Sequence, residues 1–434
     1  MLMPARPLLA ALVALFALAL AASFAPTLDG LLRVAVIGLF ALAAIDAARA
    51  LRAADPAVRR RAPHVMALGA ETGIVVQVEN STGRTLRLRL FDHVPAAFSF
   101  RDLPRELRLV DGASAAVPYR VRAEARGEHL FDHCELRLAS PWRLWWRRRR
   151  LGEPARVRVY PNFAALTRFA LLATDHRLSQ LGLLLRRRRG DGLDFHQLRE
   201  YREGDAPRQI DWKASSRLRR LISREYRDER DQQIVLLIDC GRRMAARDGA
   251  LSHLDHALNA ALLLAFVALR QGDAVGMMTM GGTSRWMAPR KSRAALDGLL
   301  EGCFDLHETL ASPDYRRCAT DLMARQGRRA LVVLLSNVRD EDDDDLRAAL
   351  ALLRRRHRVV LASLREPIIE AALRAPVETL DTALAHAASA EYLARRRRSF
   401  AQLEQAAICL DVEPADLPLA LVNRYLDLKR EGRL

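Results

Sequence analysis

Lysine is nearly absent from this chain, which carries it only at Lys213, Lys291 and Lys429 although the formal net charge is +17. Arginine supplies the rest, and joint richness in arginine, alanine and leucine is what GC-rich coding produces. The charge is therefore weaker evidence for nucleic-acid binding than the same charge built from lysine, and nucleic acid is not expected as a partner. Cysteine is sparse as well: Cys134, Cys240, Cys303, Cys318 and Cys409 are odd in number, widely spaced and contain no Cys-x-x-Cys pair. That pattern argues against both a zinc site and a disulfide framework. Also missing are a Walker loop, a Gly-x-Ser-x-Gly elbow, a His-Glu-x-x-His pair and a Gly-x-Gly-x-x-Gly turn after a strand. Without them no nucleotide loop, activated serine or zinc hydrolase is legible, so no cofactor and no catalytic residue are expected.

What is present begins with apolar runs. From Pro7 to Ala25 no charged residue occurs, a run of about 19 residues, enough for one membrane span at ~1.5 Å rise per residue. A turn at Pro26 to Gly30 follows, and a second stretch, Leu31 to Ile45, reads as a shorter and weaker span in which Arg33 snorkels toward the headgroups. A cleaved signal peptide ending near Ala21-Ala22-Ser23 is the competing reading, disfavoured because a second apolar stretch follows so soon. Arg6 precedes the first run, Arg49, Arg52, Arg59, Arg60 and Arg61 follow the second, and the turn carries only Asp29. Positive-inside bias then places both ends in the cytoplasm, with residues 1–50 as a transmembrane hairpin in an inner membrane.

Residues 62–161 alternate with period two in short stretches: Gly73 to Val78, Thr85 to Leu90, Leu107 to Val110, Tyr119 to Ala123, Cys134 to Leu138 and Arg156 to Tyr160. With Asn80-Ser81-Thr82-Gly83 and Asp111-Gly112 as turns, this predicts an antiparallel β-sandwich of about seven strands. Trp142, Trp145 and Trp146 beside Arg147 to Arg150 suit a lipid headgroup boundary, although a strand end with one solvated charged turn explains them more simply.

Residues 233–434 alternate strand and helix. Apolar strands are expected at Ile234 to Asp239, Asp273 to Met280, Ala330 to Val338, Arg358 to Leu364 and Ile408 to Val412. Helices are expected at Leu251 to Arg270, Ser292 to Cys303, Asp343 to Arg356, Thr379 to Ala401 and Ala415 to Lys429. Fully apolar strands between helices predict a doubly wound α/β domain, a parallel sheet covered on both faces. Ligands of such sheets bind beyond the carboxyl ends of the strands, which directs attention to the residues after Ile238 and after Leu335. On that rim the acids Asp340 to Asp345 read as a solvated first helical turn rather than a cation site. His253 and His256, three residues apart with no third ligand in view, read as surface residues.

Between these modules, residues 162–232 form a connector whose informative part runs from Gly192 to Arg217. It interleaves Glu200, Asp205 and Asp211 with Arg199, Arg202 and Arg208, an ion-pair network in which Gly204-Asp205 is a tight turn, Trp212 an apolar anchor and Arg208 a clamp on a carboxylate. Docking of one module onto another and binding of a partner explain it equally. A hydrolase using Glu200, Asp205 and Asp211 is a weaker alternative, because neighbouring arginines hold such acids ionised.

The run Leu198-Arg199-Glu200-Tyr201, Gly204-Asp205, Arg208, Ile210-Asp211-Trp212-Lys213 resembles the signature of the family of domain of unknown function 58. The resemblance extends through Ile234 to Asp239 and into Asp411-Val412-Glu413-Pro414 and Leu421 to Lys429. It implies a membrane-anchored protein with a von Willebrand factor A-like domain that works with a MoxR-type AAA+ ATPase on unknown client proteins, with no established enzymatic activity. Arg199, Glu200, Tyr201, Gly204, Asp205, Arg208, Asp211, Trp212 and Lys213 are the positions this carries over as a structural or partner-binding signature. It also implies a metal motif, Asp-x-Ser-x-Ser, at Asp239, but here Gly241 and Arg243 replace both serines and Asn337 replaces a later aspartate, while Thr320 matches a remaining threonine. A guanidinium does not ligate Mg²⁺, so the site is read as degenerate and no metal is expected. Besides the ATPase and its clients, lipid is an expected contact. A basic membrane-surface or nucleic-acid binder acting through Arg147 to Arg150 and Arg186 to Arg189 is the remaining alternative.

Overall fold

The computed structural model describes residues 1–162, 194–201, 210–227, 232–339 and 343–432, and it divides into two compact units, Met1–Val159 and Tyr160–Leu434. Gly204, Asp205, Arg208 and Arg186 to Arg189 lie outside the described residues, as do Asp340 to Asp342.

The first unit opens with two helices, Arg6–Ala22 and Asp29–Arg52, joined by a short 3-10 turn at Pro26–Leu28. Their expected ranking is reversed. Asp29–Arg52, with 24 residues, is long and apolar enough to cross a membrane, whereas Arg6–Ala22 has 17. Counting apolar residues ends the second run at Ile45 because Asp46 follows, but Asp46 is fully buried. Its carboxylate accepts from Ser140 Oγ (2.5 Å), Trp142 N (3.0 Å) and Leu144 N (3.2 Å), so the acid is solvated by protein and the helix continues past it.

Residues 57–160 form eleven strands, antiparallel throughout the two larger sheets and between Ala155–Tyr160 and Gly127–Phe131 in the third. One sheet orders Ala57–Arg61, Glu71–Glu79, Ser114–Ala123 and Phe98–Arg101. Another orders Leu2–Pro4, Trp145–Leu151, Cys134–Ala139, Leu86–Asp92 and Arg105–Leu109, and a third orders Val65–Ala67, Ala155–Tyr160 and Gly127–Phe131. The six expected stretches are strands, and their alternation buries Ile74, Val76 and Val78 or Leu86, Leu88 and Leu90 on one face.

The additional strands are short or arginine-rich, which hides them from hydropathy. Arg60, in the strand Ala57–Arg61, reaches inward to Asp92 Oδ1 (2.5 Å) and Oδ2 (2.8 Å), and Tyr119 Oη donates to the same carboxylate (2.6 Å). Arg147 to Arg150 are likewise strand residues and not a turn. Arg147 is buried and donates to the carbonyls of Ala50 (2.6 Å) and Ala53 (2.5 Å), satisfying acceptors that the end of the helix Asp29–Arg52 leaves free.

The second unit holds a six-stranded sheet in the order Trp286–Arg290, Ala274–Met280, Gln233–Asp239, Leu331–Ser336, Arg358–Leu364, Ile408–Val412. Five strands are parallel, and the edge strand Trp286–Arg290, absent from the sequence reading, pairs antiparallel with Ala274–Met280. Gly276 lies where the two backbones approach, since a Cβ there would stand 2.4 Å from Met287 O. Alternate residues of the central strand enter separate cores. Ile234, Leu236 and Ile238 meet the helices His253–Arg270 and Leu417–Arg430, and Val235 and Leu237 share a cluster with residues of Tyr315–Arg325 and Asp343–Leu353. Helices therefore cover both faces, which is why these strands are apolar throughout. Tyr315–Arg325 and Pro367–Arg374 are helices that the sequence reading did not place.

Candidate functional site

Strand order reverses between Gln233–Asp239 and Leu331–Ser336: the chain runs outward to one edge, then returns to build the other side. The carboxyl ends of these two strands are the topological switch point, the usual ligand crevice of such a sheet. Asp239 sits there, fully buried. Its Oδ2 accepts from Ser336 Oγ (2.7 Å) and its Oδ1 from Gly241 N (2.7 Å), while Tyr315 Oη lies 2.9 Å from Ser336 Oγ. Burial raises the Asp239 pKa above its ordinary value despite these donors and the charge of Arg243.

A neighbouring loop packs against the residues that follow Asp239. Thr309 N donates to Cys240 O (2.8 Å) and Arg242 N to Ala311 O (3.0 Å), and a Cβ on Gly241 would meet Ala311 O at 2.8 Å. Glycine at 241 is thus a packing requirement as well as a lost serine. The divalent cation that the resemblance implies does not fit these residues. Among the described residues Asp239 is the one carboxylate hydrogen-bonded at this strand end, both its oxygens are engaged, and Arg243 adds like charge beside it. Thr320 is misplaced by the sequence reading: it is exposed on the helix Tyr315–Arg325 with its hydroxyl donating to Arg316 O (2.9 Å). The threonine packed beside Gly281 and Gly282 is Thr309.

Asn337 also departs from expectation. It is fully buried and turns away from Asp239 into a second polar cluster, where its Nδ2 donates to Glu366 Oε1 (2.8 Å) and lies 3.4 Å from His253 Nδ1. His253 is therefore a buried residue and not a surface one, and burial lowers its pKa; His256, half-buried, is lowered for the same reason.

The centre of this cluster is Arg396, whose side chain is 3% exposed. Its guanidinium donates to Val338 O (2.6 Å), Ser363 Oγ (2.8 Å), Leu364 O (3.1 Å) and Asp411 Oδ1 (2.7 Å), tying together the carboxyl ends of three adjacent strands. Glu366 accepts from Tyr392 Oη (2.9 Å) and pairs with Arg339 (3.1 Å). Burial alone would raise its pKa, but the Asn337 bond, Arg396, Tyr392 and Arg339 together hold it below its ordinary value.

Arg396 and Glu366 were not singled out from sequence. One signal was available: Arg396 shares its helical face with Phe400 and Leu403, both buried, at spacings of four and seven.

The signature segment has a different character. Asp194–Glu200 pairs antiparallel with Ile222–Arg227, and Tyr201 N donates to Leu221 O (3.0 Å). Asp211 caps the helix Trp212–Leu218, accepting from Lys213 N (3.1 Å) and Ala214 N (2.9 Å), which is structural work and not general acid–base work for this carboxylate. Glu200 pairs with Arg220 at 3.0 Å on the surface. Trp212 is 67% exposed, so it is no apolar anchor; Leu198, Leu218 and Leu221 are exposed in the same substructure. Elsewhere the thiols of Cys134, Cys318 and Cys409 are pushed up to about 12, chiefly by burial, so they are poor nucleophiles.

The family model described as protein of unknown function DUF58 matches residues 197–403. The match supports the DUF58 family. It takes in the signature segment, Asp239, Asn337, Glu366 and Arg396, and it ends before the last strand of the sheet. No curated protein matches the chain. Among solved structures it is similar to alpha-2-macroglobulin of Salmonella reacted with methylamine, at 20% identity and TM-score 0.20 over 24% of this chain and 7% of that one. It is also similar to Escherichia coli alpha-2-macroglobulin from domain MG7 to the C-terminus, at 16% identity and TM-score 0.21 over 25% and 17%. A CARDB domain from Pyrococcus furiosus in complex with di-metal ions gives 11% identity and TM-score 0.17 over 24% and 92%. The chain thus spans under a fifth of either macroglobulin, and likeness at this level supports neither a fold assignment nor an activity for the DUF58-matched region.

Proposed function

We propose that this protein is a non-catalytic adaptor anchored in the inner membrane by its N-terminal helices, with a β-sandwich and a von Willebrand factor A-like domain facing the cytoplasm. In this reading the second domain binds a MoxR-type AAA+ ATPase and helps it to assemble or activate other proteins. The carrying observation is Trp212. It is 67% exposed yet held at the first position of a capped helix, inside the DUF58-matched segment. A large aromatic side chain presented on a fixed backbone is the typical centre of a protein interface.

Two further observations support the reading. Two of the three acids considered for hydrolysis already have partners, Asp211 capping a helix and Glu200 pairing with Arg220, and Asp239 is engaged by Ser336 and Gly241. The strand order, with its switch point beside Asp239 and helices on both faces, suits a von Willebrand A-like domain.

The test is capture of a MoxR-type ATPase, locked with a non-hydrolysable ATP analogue, by the full chain solubilised from native membranes. Trp212→Ala should reduce capture at least tenfold. As an exposed substitution it should change stability by no more than about 0.5 kcal/mol. Failure of the wild-type chain to capture the ATPase, or undiminished capture by the variant, refutes the proposal.

A further inference from the structure

The amino ends of the parallel strands hold a feature that the adaptor reading does not use. A groove of about 450 Å³ is lined there by Arg329, the run Arg354 to Arg356, His357, Arg358 and Glu404. Arg329 lies just before the strand Leu331–Ser336, Arg358 begins Arg358–Leu364, and Ile408, also in the lining, begins Ile408–Val412. The groove therefore spans three neighbouring strands at the edge opposite Asp239.

The groove is strongly basic and poor in internal compensation. Five arginines face one acid, Glu404. The helix Asp343–Leu353 ends at this edge, and its dipole contributes roughly −0.5 charge, about a tenth of what five guanidiniums supply. Among the described residues, no carboxylate lies within ion-pair distance of Arg329, Arg354, Arg355 or Arg356. Two of these are nonetheless held in place, because Arg354 Nη1 donates to Gln405 O (2.9 Å) and Arg356 Nη1 to Met323 O (3.3 Å).

His357 supplies an independent indication. Its side chain is buried, at 4% exposure, and both ring nitrogens lack a hydrogen-bond partner. A buried imidazole with two unmet nitrogens costs free energy, and an accepting ligand would recover it by turning the ring toward the groove, since neither nitrogen is open to solvent as the ring now sits. A merely solvated arginine face does not account for that ring.

We propose that this groove binds a phosphate-bearing anion carrying more than one negative charge. Planar guanidiniums recognise phosphate oxygens in pairs, and an imidazole N–H completes the donor set. Free pyrophosphate and a phosphomonoester lipid headgroup present this chemistry alike.

The experiment titrates the full chain in neutral detergent at about 0.15 M salt, where exposed charges are already screened within ~8 Å. Inorganic pyrophosphate and a short-chain phosphatidic acid are the two probes, with a singly charged phosphodiester as control. Saturable binding of either probe, at least tenfold tighter than the control, is expected; tighter binding of the lipid assigns a headgroup and tighter binding of pyrophosphate a free anion. Arg329→Gln combined with Arg355→Gln, both exposed positions, should weaken binding at least tenfold without changing the melting temperature. His357→Phe should weaken it as well, and if that variant fails to fold the arginine pair still decides. Absence of saturable binding, binding of the control as tightly as the probes, wild-type affinity in the double arginine variant, or binding to an RNA homopolymer alone overturns the proposal.

Discussion

Replacing Arg396 by methionine keeps most of the side-chain volume and removes the charge that joins the carboxyl ends of three strands. The guanidinium is 3% exposed and its partner Asp411 is 29% exposed, so the pair lies on the buried side of the range. Removing one member of a buried pair costs about 3 to 5 kcal/mol, against at most about 1 kcal/mol for an exposed pair. A domain has about 5 to 15 kcal/mol in total, and each kcal/mol corresponds to roughly 2 to 4 °C at this size. The melting temperature of the full chain should therefore fall by about 6 to 20 °C. Arg396→Lys should recover only part of this, because an ammonium can meet Asp411 but not Val338 O, Ser363 Oγ and Leu364 O together. Adding Asp411→Leu to Arg396→Met should restore some stability, since it removes the stranded carboxylate. Calorimetry of the three variants decides the matter. A loss under about 1 kcal/mol for Arg396→Met would mean that water, not protein, solvates this arginine, and the account of the cluster would fail.

The crevice at Asp239 should bind no Mg²⁺ at millimolar concentration; one saturable site in a titration, lost in Asp239→Asn, would contradict the packing described around Gly241. Stability should also fall as pH drops below about 6.5, the ordinary histidine value. Burial depresses His253, His256 and His357 in the fold, so the unfolded chain takes up their protons first, and the loss continues down through their folded values. Glu366 adds a second loss only below about pH 4.3, as its depressed carboxyl is protonated. Urea midpoints at pH 7.5 and 5.5 measure the first effect, and equal midpoints would refute it.

The alternation of apolar strand and helix after Ile234 was enough to place every parallel strand within two or three residues of its observed ends, because a strand buried on both faces has no polar alternative. Helix starts were legible for a similar local reason: Ser252, Ser292 and Thr379 each cap the helix that follows. What the sequence left undecided is where each charge goes. Arg60 and Arg147 read as residues for water or for a membrane edge, Asp46 and Arg396 carry no reading of their own, and all four are solvated inside the protein by groups between 15 and 98 positions away. Trp212 and His253 err in the opposite sense to one another, the aromatic exposed and the imidazole buried. Hydropathy and spacing report the average preference of a side chain. Whether a buried carboxylate or guanidinium finds enough donors or acceptors depends on contacts between elements distant in sequence, and only the tertiary structure supplies them.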